Sequence, residues 1–312
     1  MARQYGVQNS LKQKDLPLKL HPLQHLPIVL CSMALSLSAQ TTVYNSVPNP
    51  LPPNVVSQGF QCCSVSEFGD EITLAPATPR TAGFANVVMS SWAKHSDYPL
   101  LPAAGFTHPI KLNIYASATA AASHTPLASV AQTALLPWRP EADPTCAGGT
   151  AWRSMTDSNC YNGFAFVLTF DLRTAGPGGS ALVLPETFIW GVEFNTNTWG
   201  YSPLGVGGPF ESLNVGLNDD APPSVGSDVE GNAVYVNYSH APFYTDGGAG
   251  GIGTFRRDTN WAPYVPAIQF TTFAFPATAN SCKNNGWQTL VRANFTPFTN
   301  QGDCVSYVQN GK

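Results

Sequence analysis

Charge is scarce in this chain: 15 Lys and Arg and 19 Asp and Glu in 312 residues, or 11%, against about a quarter in an average soluble domain. That scarcity removes the surface of long solvated helices and leaves Ser, Thr, Asn, Gly and Pro to cover the outside. No basic run occurs, which argues against nucleic acid, whose binding rests on Lys and Arg contacts to phosphate, and against anionic membrane surfaces. No apolar stretch reaches the roughly 20 residues of a spanning helix. There is no G-x-S-x-G, so a serine nucleophile elbow is missing, and beyond residue 39 there is no CxxC or His pair at zinc-ligand spacing. No G-X-Y period is found, which excludes collagen.

What the chain does have is 43% hydrophobic residues, 11% aromatics, 27 Gly and 27 Pro. That profile excludes bulk disorder and reads as an extracellular all-β protein. Residues 26–37 (LPIVLCSMALSL) follow Lys12, Lys14 and Lys19 and precede the small pair Ser38-Ala39, the pattern of a secretory signal peptide. The positive region before it is long for a leader and holds Pro17 and Pro22, so the true start codon could lie later than Met1. A lipoprotein reading through Cys31 is weakened by Leu30, where a lipobox wants Gly or Ala. Taking the net +3 of residues 1–39 from the formal −4 of the whole leaves a mature chain at −7.

Seven cysteines become six once Cys31 leaves, and an even number in an exported chain suggests disulfides. Sequence proximity favours Cys146 with Cys160 and Cys282 with Cys304. Cys62 and Cys63 are adjacent, and either a vicinal disulfide or two free or separately paired thiols is open.

Short apolar or β-branched runs recur at 71–74, 83–92, 110–116, 163–172, 188–194, 213–217, 233–238 and 268–275. In IKLNIYA, Ile110, Leu112 and Ile114 share one face and Lys111, Asn113 and Tyr115 the other, as a half-buried strand requires. No segment carries a convincing 3.6-residue period. The Ala-rich stretch 119–136 is broken by Pro126 and is expected to be two extended pieces joined by a turn. The Pro-rich stretch 44–53 is expected to run extended on the surface. Together these predict one β-sandwich of jelly-roll type over residues 40–279, with 280–312 as a small disulfide-closed module.

In that last stretch Cys282-Lys283-Asn284-Asn285-Gly286-Trp287, followed by Phe298-Thr299-Asn300-Gln301-Gly302-Asp303-Cys304-Val305, resembles the CKxGGW...FxNQGxCV element at the C-terminal ends of many uncharacterised exported bacterial proteins. Asn285 stands where Gly is usual, and Asn also tolerates positive φ. The opening, with Ser66-Glu67-Phe68-Gly69-Asp70 and Ser90-Ser91-Trp92, is similar to uncharacterised exported bacterial β-rich domains. The resemblance implies export and a surface or matrix role, and transfers no catalytic residues. For the tail it leaves two readings, an attachment module and a clasp on the sandwich.

Several constellations bear on function. Trp199, Tyr201, Tyr244 and Trp261, with other loop aromatics, could stack on sugar rings or seal the ends of a sandwich. Asp219, Asp220, Asp228 and Glu230 cluster in NDDAPPSVGSDVEGN, where a structural Ca²⁺ or a solvated loop are the alternatives. Glu186 and Glu193 flank an aromatic strand, as a carboxylate pair of a glycoside hydrolase would. His95, His108, His124 and His240 read as loop or packing residues, and Gly248–Gly253 as a turn rather than a dinucleotide fingerprint. The expectation is a secreted, non-enzymatic bacterial surface or matrix protein that binds polysaccharide; the alternatives are a polysaccharide-active hydrolase or lyase, and a structural subunit of a surface layer or fibre.

Overall fold

A computed structural model describes residues 39–201, 205–219, 223–248 and 251–311. The signal-peptide reading of residues 1–39 falls almost wholly outside the described residues. The fold is a sandwich of two seven-stranded sheets in which every strand pairing is antiparallel. One sheet runs Gln40–Asn45, Ile268–Phe273, Thr81–Ser91, Leu213–Asn218 and Val265–Pro266, with Ser57–Gly59 added to Leu213–Asn218 and Phe164–Asp171 added to Thr81–Ser91. The other runs Arg256–Thr259, Ala233–Tyr238, Val65–Thr73, Thr187–Glu193, Phe106–Tyr115 and Ala128–Leu136, with Ser227–Asp228 on Val65–Thr73.

Alternation decides which side chains enter the space between the sheets. From Phe106–Tyr115 the inward residues are Ile110, Leu112 and Ile114, as the sequence pattern requires; from Thr187–Glu193 they are Phe188, Trp190 and Val192. They meet Ala85, Val87, Met89, Val215 and Phe270 of the opposite sheet in one core, with Phe188 and Phe270 edge to face at 5.2 Å. The stretch 44–53 begins inside the paired strand Gln40–Asn45 instead of lying wholly on the surface, and Tyr44, like Val43 before it, is fully buried.

One expectation is corrected, and one element was not foreseen. Residues 119–136 hold a strand, Ala128–Leu136, preceded by a short helix, Ala118–Ala122, rather than two extended pieces. Ser117 caps that helix by accepting from the Ala120 N–H, and alanine's helix propensity carries it as far as the turn before Pro126. The tail contains a helix, Gln301–Asn310, where no amphipathic period exists. Its determinants are terminal: the Asn300 side chain accepts from the Asp303 N–H, and Gly311 closes it at φ 67°.

Both disulfides anticipated from spacing are present, Cys146–Cys160 and Cys282–Cys304. The second sits in a small cluster with Leu290 and Phe298, flanked by Trp287 and Tyr307. That cluster leans on the sandwich through Ala274, whose carbonyl accepts from the Val291 N–H. Among the described residues no helix is long and apolar enough to cross a membrane.

Candidate functional site

The outward residues of the second sheet are where polar chemistry gathers. Glu67 and Glu193 sit directly opposite one another on neighbouring strands, and Glu193 is also opposite Lys111. Asn113 and Tyr115 share that face from Phe106–Tyr115, and Asn237 from Ala233–Tyr238. At one end of the face Tyr115, Ile189, Tyr235 and Phe255 close over helix residue Ala121 as a second small core. The rest is left as a recess of about 330 Å³ lined by Lys111, Asn113, Ser129, Glu193, His124 and Tyr201, with Tyr115 and Pro126 completing the wall.

Glu67 lies beneath the recess with none of its surface exposed. Its Oε1 accepts from Asn113 Nδ2 at 2.8 Å and from the Tyr115 hydroxyl at 2.9 Å, and its Oε2 from the Tyr201 hydroxyl at 2.7 Å. Gly191 makes the room: a Cβ there would stand 2.5 Å from Glu67 Oε1 and 2.7 Å from the Phe255 ring. Burial pushes the Glu67 carboxyl up to about 7, against the pull of its three hydrogen bonds. Glu193 is held differently, taking Lys111 Nζ on Oε1 at 2.8 Å and Asn113 Nδ2 on Oε2 at 3.0 Å. One amide nitrogen thus joins the two carboxylates, while the Asn113 carbonyl accepts from the Ser129 hydroxyl at 2.7 Å.

Tyr201 arrives from a reversal after the Thr187–Glu193 strand. Thr196 and Trp199 are tied by Thr196 N–H to Trp199 O and Trp199 N–H to Thr196 Oγ1, and Gly200 turns at φ 123°, where a side chain would strike Asn195. The Tyr201 hydroxyl accepts from Asn237 Nδ2 at 3.1 Å and lies 3.1 Å from His124 Nδ1. His124, at φ 50°, brings Nδ1 within 3.7 Å of Glu67 Oε2. Desolvation draws the imidazole down from its usual value, so a neutral ring beside a carboxyl that shares its proton near neutrality is the arrangement the burial favours.

The four aromatics named from sequence have separate fates. Tyr201 joins the recess. Tyr244 is buried, its hydroxyl accepting from the Tyr238 N–H and donating toward the carbonyls of Gly251 and Thr254. Trp261 packs against the core, 5.5 Å from Phe68, and its Nε1 donates to Asp258. Trp199 is half-buried, edge to face with His240 at 4.7 Å.

Of the two acids flanking the aromatic strand, Glu193 lines the recess while Glu186 is exposed outside the strand. The Cys146–Cys160 bridge closes its own loop, and Cys282–Cys304 belongs to the tail cluster. Of the acidic cluster, Asp220 lies outside the described residues, Asp219 is exposed, Asp228 is half-buried on its short strand, and Glu230 accepts from Arg257 at 2.6 Å. Among the described residues no three His, Cys, Asp or Glu side chains are grouped to hold a metal ion. Glu67, the buried carboxyl beneath the recess, was not singled out from sequence as a site residue.

No protein family, curated protein or solved structure matches the chain.

Proposed function

We propose that this chain is an exported bacterial surface or matrix protein that binds a polysaccharide, receiving a sugar residue in the recess above Glu67. The observation that carries this reading is the convergence of Lys111, Asn113, Ser129, Glu193 and His124 on one recess beside the Tyr201 and Tyr115 rings. Sugar hydroxyls need donors and acceptors fixed at several angles, and a ring face beside them supplies apolar contact. The buried carboxyl contributes by fixing three of the donors around it, since Asn113, Tyr115 and Tyr201 all point their hydrogens at Glu67. Its sealing beneath them favours binding over chemistry. Two disulfides support an oxidising, extracellular compartment.

A glycan array probed with the whole chain tests the reading. Retention of a neutral or mildly polar glycan, weakened about 10- to 100-fold by Glu193→Gln, is the expected result. No retained sugar at high protein concentration removes the binding reading.

A second reading is favoured by one observation: Glu67 and Glu193 share the Asn113 amide, and one is raised toward neutrality while the other faces Lys111. That is the asymmetry of an acid and a carboxylate placed for glycosidic cleavage. Release of reducing ends from a retained polysaccharide, abolished by Glu193→Gln, would select it.

A further inference from the structure

Cys62 and Cys63 are free, the first exposed and the second half-buried. They occupy a tight turn between Ser57–Gly59 and Val65–Thr73, closed by the Cys63 and Val65 N–H groups on the Phe60 carbonyl at 3.3 and 3.1 Å. In a strand, adjacent side chains diverge; here both cysteines lie in the turn between the strands, and each sulfur shifts the titration of the other. The turn is anchored at both ends. Phe60 is fully buried and stacked on Phe194 at 3.8 Å, and the Ser64 carbonyl accepts from the Ser239 N–H at 2.9 Å. Cys62 Sγ lies over Gly59, where even a methyl group would stand 2.6 Å away.

We propose that Cys62 and Cys63 form a reactive vicinal dithiol that exchanges with low-molecular-weight disulfides and closes to a Cys62–Cys63 disulfide. The roles of the two sulfurs differ. Cys63 is drawn down to about 7, chiefly by the neighbouring Cys62 thiol and further by the Gln58 side chain, so its thiolate is the nucleophile. Cys62 is pushed up, chiefly by the neighbouring Cys63 sulfur, and serves as the proton-bearing partner in the open form.

In the first step Cys63 Sγ attacks one sulfur of the external disulfide; that S–S bond breaks, and one small thiolate leaves with the electron pair and takes a proton. A mixed disulfide now occupies Cys63, and the charge that held the Cys62 proton is gone. Cys62 then releases that proton, its sulfur attacks the Cys63 sulfur, and the second small thiolate leaves. Two protein thiols are oxidised by two electrons, and the external disulfide is reduced to two thiols. Cys146–Cys160 and Cys282–Cys304 take no part.

The test uses the full chain, brought to free thiols at 62 and 63 by a mild reductant under which peptide mapping finds both other bridges intact. It is then treated with glutathione disulfide at neutral pH and followed by intact-mass spectrometry. Wild type is expected to lose two hydrogens without retaining glutathione. Cys62→Ser is expected to hold a stable glutathione adduct on Cys63, and Cys63→Ser to react at least about tenfold more slowly. Phenylarsine oxide, which needs two neighbouring thiols, gives a measurement independent of variant folding: one arsenical per wild-type chain, resistant to excess monothiol and released by a dithiol. A persistent mixed disulfide on wild type, equal rates for the two single variants, or an arsenical displaced by monothiol would overturn the proposal.

Discussion

The substitution Glu67→Gln should flatten the dependence of stability on pH. An exposed glutamate titrates near 4.5, whereas in the fold this carboxyl is pushed up to about 7 by burial. Between those values the native state holds a proton that the unfolded chain has lost. Stability from this group is therefore complete below about pH 4.5 and declines as pH rises, reaching its floor above about pH 7. At 1.36 kcal/mol for each tenfold change, the decline amounts to about 3 kcal/mol.

The amide of the Glu67→Gln variant has no titrating proton, so the difference between variant and wild type should move in the variant's favour by about 3 kcal/mol from pH 4.5 to pH 8. The absolute cost of the substitution, including any turned hydroxyl at Tyr115 or Tyr201, is common to both pH values and cancels. Urea unfolding at the two pH values, monitored by tryptophan fluorescence with both disulfides intact, measures it. Stability differences that agree to within about 0.5 kcal/mol at the two pH values would refute the reasoning, because the carboxyl would then titrate alike in both states.

Gly191→Ala places a methyl group 2.5 Å from Glu67 Oε1; it should destabilise the fold by about 1–3 kcal/mol in thermal melts and weaken sugar retention with it. Tyr244→Phe removes a buried hydroxyl that serves one backbone N–H and two carbonyls; about 1–2 kcal/mol of stability should go with glycan retention unchanged, which separates a packing aromatic from a binding one. Cys282→Ser with Cys304→Ser should cost about 2–4 kcal/mol and expose the 301–310 region to limited proteolysis while the sandwich sheets keep their amide-exchange protection.

Strands with alternating polarity were legible. The run at 233–238 coincides with Ala233–Tyr238, and 110–116 overlaps all but the first four residues of Phe106–Tyr115. The Val65–Thr73 strand was visible only from residue 71, since its outward positions are Glu67, Gly69 and Glu71 and Asp70 among its inward ones is polar, so no alternation of hydrophobicity marks it. The Gln301–Asn310 helix escaped for a related reason, resting on its two caps and a disulfide rather than on an apolar stripe. At the site, Glu193 could be picked out beside its aromatic strand. Glu67 could not, because two of the residues that enclose it, Asn113 and Tyr201, are 46 and 134 positions away. Tyr201 was named for its ring, yet it is the hydroxyl that closes Glu67 from solvent, and a hydroxyl's partners leave no mark in sequence.

The pairing of Gln40 with Phe273 at the start of the first sheet has a consequence for how the chain is made. Strand Gln40–Asn45 pairs with Ile268–Phe273, and that strand also pairs with Thr81–Ser91. Until residue 273 has been synthesised, one flank of Thr81–Ser91 is an open template and Val43 and Tyr44 have no strand to hold them in the core. Loop-closure entropy for such distant pairings is met before any contact compensates it, which places folding in the slow range of all-β proteins. The nascent chain is thus kept from premature closure by its own topology. A chain truncated before residue 268 should be retained by chaperones or aggregate through the unpaired edge of Thr81–Ser91, whereas the full chain hides that edge the moment its last sheet strand is laid down.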